Sequence, residues 1–176
     1  MRFAATPLTG AFVIDIEPRR DERGLFARTF CRNEFRAAGL PGEFVQASVS
    51  YNIRRGTLRG MHFQAAPREE PKLVRCTHGA IHDVIVDLRR DSPTHCRWFA
   101  VELTQDNRRA LYVPPGFAHG FQSLVDDTEI LYQMAEPYAA ELARGVRWND
   151  PAFAIAWPIA DPFMSERDAS YADYRP

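Results

Sequence analysis

The stretch "GTLRGMHFQ", residues 56–64, places His62 two residues before Gln64, with Arg59 close by and glycines at Gly56 and Gly60. Further along, "KLVRC" begins with Lys72, "YVPPGFAHGF" carries His119, "EILYQM" carries Tyr132 and "SERDA" carries Asp168. Side chains of these types can bind a metal, hold an anion or move a proton. Histidines titrate near neutrality and serve as general bases. A lysine ammonium stabilises a developing oxyanion. A tyrosine can donate a proton from the far side of a substrate, and a carboxylate can orient a histidine. Base, oxyanion stabiliser and opposite-side acid are what proton abstraction beside a carbonyl requires. If the acid returns the proton to the other face, the carbon is inverted, and the reaction is an epimerisation.

A metal needs more ligands than the pattern offers. Cupins, whose first motif runs from a glycine to a His-x-His pair and whose second contains Pro-x-Gly-x-x-His, resemble this chain in "GTLRGMHFQ" and in Pro114, Gly116 and His119. Gln64 stands where the second histidine of the pair would be, and a neutral amide is a poor ligand for Fe, Zn or Cu. His62 and His119 alone are one ligand short, and Lys72 would repel a cation. The expectation is therefore no metal and no other cofactor. A metal-dependent cupin isomerase or dioxygenase and a non-catalytic small-molecule binder are the competing readings.

The elements that must hold these residues read as short strands. "AFVID", "LFARTF", "EFVQASVSY", "KLVRC", "IHDVIVDLR", "RWFAVEL", "ALYVP" and "TEILYQM" are rich in β-branched and aromatic residues and separated by turn-forming stretches such as "PRRDERG", "NIRRG" and "PPG". Their spacing predicts an all-β sandwich or barrel. "NEFRAAG", ending at Gly39, and the segment after Ser165 read as helices. Alternation puts Ile81, Asp83, Ile85 and Asp87 on one strand face, so carboxylates share a face with isoleucines. The same rule separates Arg59 from His62 unless a bulge at Gly60 brings both to one site.

The chain has 176 residues and a net charge of −1, with 45% hydrophobic residues. That length suits one domain covering 1–176, with residues 157–176 as a tail over the core. The charge predicts no nucleic-acid partner, and no run of about 20 apolar residues predicts a membrane span. Cys31, Cys76 and Cys96 lack CxxC spacing, so neither a disulfide framework nor a zinc knuckle is expected. The expected compartment is the cytoplasm.

Taken together, "GTLRGMHFQ", "KLVRC", "DVIVDLRRDSPT", "YVPPGFAHGF", "YQMAEPY" and "GVRWNDP", in this order, resemble the dTDP-4-dehydrorhamnose 3,5-epimerase family. The resemblance runs from "DERGLFARTF" to "SERDA" and implies a cupin-type jelly roll with short peripheral helices, metal-free and homodimeric by strand exchange. It implies removal of a proton alpha to the C4 ketone of a nucleotide-linked 4-keto-6-deoxyhexose, at C3, C5 or both. On this resemblance His62 is the base, Asp168 its partner and Tyr132 the acid. Lys72 and His119 line the sugar and its keto oxygen. Arg59 and Arg23 hold the diphosphate, Gln46 and Tyr138 contact the nucleoside, and Arg167 lies near the nucleotide. Two departures fall on the nucleotide side: Arg28 and Ala143 replace glutamates of the family pattern. They predict an altered base preference, with dTDP disfavoured or no base strongly preferred.

Plainer roles exist for the same residues. "SERD" fits a capping box with Ser165 as the cap, Tyr132 fits a strand core, and His119 fits a turn support. His78, His82 and His95 read as structural or surface residues, Asp83 and Asp87 as partners of internal arginine or lysine, and Arg89–Arg90 as a solvated strand end.

Overall fold

The computed structural model describes residues 1–175. Its strands form two antiparallel sheets and a separate hairpin. The larger sheet runs, in spatial order, β1 (Arg2–Ala5), β2 (Phe12–Asp15), β10 (Ala110–Val113), β7 (Lys72–His78), β12 (Thr128–Met134) and β5 (Gln46–Asn52). The smaller sheet runs β13 (Ala143–Gly145), β6 (Leu58–Gln64), β11 (Phe117–Ser123), β8 (Ala80–Asp87) and β9 (Trp98–Thr104). The hairpin is β3 (Arg19–Asp21) with β4 (Gly24–Phe26). Two short helices complete the fold, α1 (Arg32–Ala37) and α2 (Glu166–Ala169).

The sheets pack face to face because alternate residues of each are apolar. Val74, Ile81, Ile85, Leu111, Phe121 and Ile130 meet in the layer between them, none more than 1% exposed. Each such side chain contributes roughly 1.5–3 kcal/mol by leaving water. The arrangement is the cupin-like jelly roll that the resemblance implies, and it falls within the sandwich-or-barrel class that the strand spacing predicts.

Several local readings need correction. "LFARTF" is strand only as far as Phe26. Phe30 turns inward instead, onto Phe35 and Phe44 at ring-centroid distances of 4.9 and 5.1 Å. Burial of this aromatic cluster against α1 overrides continued alternation. Helix α1 ends where Gly39 predicted, by a Schellman motif: Gly39 donates to the Arg36 carbonyl and Leu40 to the Phe35 carbonyl at 2.9 Å. The glycine sits at φ +75°, which a side chain would strain. Strand β11, which the glycines of "PPGFAHGF" disguised as a turn, is a central strand paired with both β6 and β8.

The C-terminal segment lies over the smaller sheet. Gln122, fully buried, exchanges hydrogen bonds with the Ile159 backbone at 2.8 and 3.0 Å. Phe163 bonds to Gly56 and Leu58 through its backbone. Pro176, the last residue of the expected tail, lies outside the described residues.

Asp87 and Asp83 both point into the interior, as the alternation required. Asp87 is held by Arg89, Ser92 and Thr94, with bonds of 2.5–2.9 Å to these side chains. Burial would raise its pKa, but those donors outweigh it and bring it down to about 2. Arg89 is thus a buried-carboxylate partner rather than a solvated strand end. Asp83 pairs not with arginine or lysine but with His119.

Candidate active site

The site begins with the bulge at Gly60. His119 of β11 faces His62 of β6, while Phe121 faces Arg59. One residue on β11 therefore opposes two on β6, and the face of β6 switches between Arg59 and His62. Both side chains come to the concave side. Gly60 is at φ +137°, and a Cβ there would lie 2.6 Å from the Gly120 Cα. No side chain fits where two backbones approach so closely. Arg59 is steadied by Asn52, whose Oδ1 accepts from its Nε at 2.8 Å.

His62 Nε2 lies 2.7 Å from Asp168 Oδ1, and the Asp168 side chain is 8% exposed. The second oxygen, Oδ2, accepts from the Gly60 N–H at 3.2 Å. Burial would raise the Asp168 pKa, but the bond from His62, its charge, the Gly60 N–H and Arg167 together hold it below the ordinary value. Asp168 is therefore a carboxylate at neutral pH, with a histidine fixed against it. The capping reading holds too: Ser165 Oγ accepts from the Asp168 backbone N–H at 3.1 Å. One residue does both because the cap uses its main chain and the histidine its side chain.

Behind His62, His119 makes a second histidine–carboxylate contact, Nε2 to Asp83 Oδ1 at 2.7 Å, almost wholly buried. Its ring stands edge-on to Tyr132 at 5.9 Å. Tyr132 is only partly covered as a residue, yet burial around its phenol pushes the pKa well above 10; Asp83 pushes it further and Arg59 opposes. The phenol therefore stays protonated and available as a donor. His119 thus stands between His62, its neighbour on β6, and Tyr132 across the interior.

A cavity of about 250 Å³ opens in front of His62, lined also by Gln64, Glu70, Lys72, Tyr138, Ala143 and Arg167. Gln64 is occupied structurally: its amide bonds Ala139, Arg68 and Pro137, which holds the Tyr138 loop. Gln46 Oε1 accepts from the Tyr138 N–H, so these two residues meet. Lys72 forms an ion pair with Glu70 Oε2 at 3.0 Å, a partner that the sequence reading missed. No group of three or more His, Cys, Asp or Glu side chains placed to hold a metal occurs among the described residues.

Arg23 does not join this cavity. It lies on the β3–β4 hairpin, 82% exposed, and pairs with Asp21 at 2.6 Å. The hairpin is hydrogen-bonded to neither large sheet, so nothing in the same chain carries Arg23 to His62. Arg28 likewise points away, to Glu34 at 2.8 Å.

Two sheets enclosing a supported histidine, a protonated phenol and a lysine define a cupin-type jelly roll fitted for acid–base chemistry. Residues 5–175 match the model of the family described as dTDP-4-dehydrorhamnose 3,5-epimerase. The chain belongs to that family and is an isomerase. It is 46% identical over 158 residues to the dTDP-4-dehydrorhamnose 3,5-epimerase of Sinorhizobium fredii, covering 88% of this chain and 81% of that one. It is 44% identical over 179 residues to the enzyme of that name from Methanothermobacter thermautotrophicus, covering 99% and 95%. The crystal structure of the Bacillus anthracis enzyme, with TDP and PPi bound, superposes with a TM-score of 0.95 at 41% identity, covering 98% of this chain and 99% of that one.

Proposed function

We propose that this enzyme epimerises a dTDP-type nucleotide-linked 4-keto-6-deoxyhexose without a cofactor, in deoxysugar biosynthesis of the rhamnose kind. The observation that carries the mechanism is the His62–Asp168 contact in the cavity wall, with protonated Tyr132 beyond His119. His62 takes a proton from the carbon next to the C4 ketone. The C–H electron pair becomes the new C=C bond, and the carbonyl electrons move onto oxygen, giving an enolate. Lys72 offers its ammonium to that oxygen. Tyr132 returns a proton to the opposite face, the carbonyl reforms, and exchange with solvent resets both groups. Arg59 holds the diphosphate, Gln46 and Tyr138 contact the nucleoside, Tyr138 by stacking on the base, and Arg167 lies near the nucleotide.

Incubation in D₂O with dTDP-, UDP-, CDP- and GDP-4-keto-6-deoxyhexoses tests this reading. Deuterium should enter at C3, C5 or both, as read by mass and NMR. Stacking on Tyr138 is base-tolerant, and Ala143 offers no acceptor where the family pattern has glutamate. The preference for dTDP over the best alternative should therefore stay below roughly tenfold, about 1.4 kcal/mol. No deuterium with any substrate would sink the epimerase reading, and a larger dTDP preference would sink the relaxed-base expectation.

The reading includes a homodimer. β5 pairs with β12 alone, leaving one edge open, and Val45, Val49, Tyr51 and Ile53 are exposed along it. An open apolar edge invites another copy, whose hairpin would deliver the Arg23 that this chain keeps away. Light scattering should report two chains per particle at micromolar concentration, and a monomer would overturn this part. Three free cysteines accord with the cytoplasm as its compartment.

A further inference from the structure

Glu70 has no role in the mechanism above, yet it is placed like a residue that reads substrate. Its side chain is 8% exposed and Lys72 is 14% exposed, with Glu70 Oε2 3.0 Å from the ammonium. Both line the His62 cavity. Lys72 opens β7 between Val113 of β10 and Met134 of β12, and the Pro71 carbonyl accepts from Ala135, so the pair sits on fixed backbone. Removing two charges from water is costly, and here the ammonium and one carboxylate oxygen compensate each other. Glu70 Oε1 has no hydrogen-bond partner among the described residues, and Glu70 is part of the cavity lining. The wall thus presents a carboxylate acceptor beside ammonium donors.

That juxtaposition matches an α-hydroxy ketone, in which a carbonyl and a hydroxyl sit on adjacent carbons. We propose that Glu70 accepts a hydrogen bond from the sugar's C3 hydroxyl while Lys72 donates to the C4 oxygen, making Glu70 the residue that favours proton removal at C3 over C5. The proposal rests on the epimerase reading. In a 6-deoxyhexose C3 carries a hydroxyl, whereas C5 carries the ring oxygen and a methyl group. Loss of the C3 proton to His62 gives an enediolate, whose C3 hydroxyl is more acidic than an alcohol. Its bond to a carboxylate therefore strengthens as the transition state forms, which lowers that barrier selectively. Enolisation toward C5 creates no such hydroxyl at the reacting carbon and gains nothing comparable.

The test compares deuterium entry at C3 and at C5 by NMR, using dTDP-4-keto-6-deoxyglucose in D₂O. Wild type, Glu70→Gln and Glu70→Asp are measured together. The glutamine keeps an acceptor without charge; the aspartate keeps the charge next to Lys72 but withdraws it from the cavity by one methylene. The C3-to-C5 exchange ratio should fall at least tenfold in the glutamine variant. It should fall in the aspartate variant too, which supplies the answer if the glutamine leaves Lys72 unpaired and the chain fails to fold. Equal loss at both carbons would overturn the proposal, since Glu70 would then serve only to hold Lys72. An unchanged ratio would overturn it as well, as would wild-type exchange confined to C5. A wild type with no exchange at either carbon marks failure of the epimerase reading itself, which the variants alone could not produce.

Discussion

Replacing His62 with alanine should abolish C–H exchange at every carbon while leaving the fold in place. Loss of a general base typically costs about 10²–10⁴-fold, and this substitution removes the group that Asp168 holds in position. The His62 side chain is 40% exposed, so its loss leaves no sealed cavity in the core. Asp168 keeps its bond from the Gly60 N–H and its cap from Ser165, so the tail helix has other anchors. Deuterium exchange followed by mass, beside a denaturant titration, separates chemistry from folding. More than a tenth of wild-type exchange in a folded variant would show that another residue is the base.

Tyr132→Phe should separate two events that one enzyme normally couples. The ring that stands edge-on to His119 is retained, so packing changes little. What disappears is a phenol that burial keeps protonated. Inversion needs a proton delivered to the opposite face, whereas wash-out needs only removal by His62 and return to the same face. Inverted product should therefore fall by about 10²-fold or more, with a markedly smaller loss of deuterium wash-out. Chiral-centre analysis by NMR alongside the mass shift reads both. Equal loss of the two would assign Tyr132 a packing or binding role.

Much of this site was legible because β-strand alternation is a strict rule. It puts Asp83 and Asp87 inside, and it exposes the conflict between Arg59 and His62 that a bulge at Gly60 resolves. What alternation cannot give is the identity of a partner on the neighbouring strand. Asp83 was expected to meet a cation of Lys or Arg type and meets His119 instead, because that pairing is set by the register of β8 against β11. Glu70 escaped notice because "REEP" reads as a polar turn, and only the fold reveals that Lys72 reaches back to it. β11 escaped because its glycines look like turn residues, although Gly120 serves the close approach of β6. The roles proposed for His62, Asp168 and Tyr132 rest on the chemistry of these residue types together with the family resemblance. Arg23 marks a different boundary: the resemblance groups it with Arg59, whereas the fold keeps it on a hairpin apart from the His62 cavity.

The carboxylate at position 168 has a consequence for the order of events during synthesis. Synthesis runs from the N-terminus, and the last strand of the larger sheet ends at Met134 and that of the smaller at Gly145. A nascent chain thus contains all the strands that carry His62 and Tyr132 while Asp168 has yet to appear. The tail that brings it is anchored late, by Ile159 on Gln122 and Phe163 on the Gly56–Leu58 backbone. Asp168 is therefore the last of the proposed acid–base residues to be synthesised, and a chain that ended before it would lack the carboxylate that lies against His62.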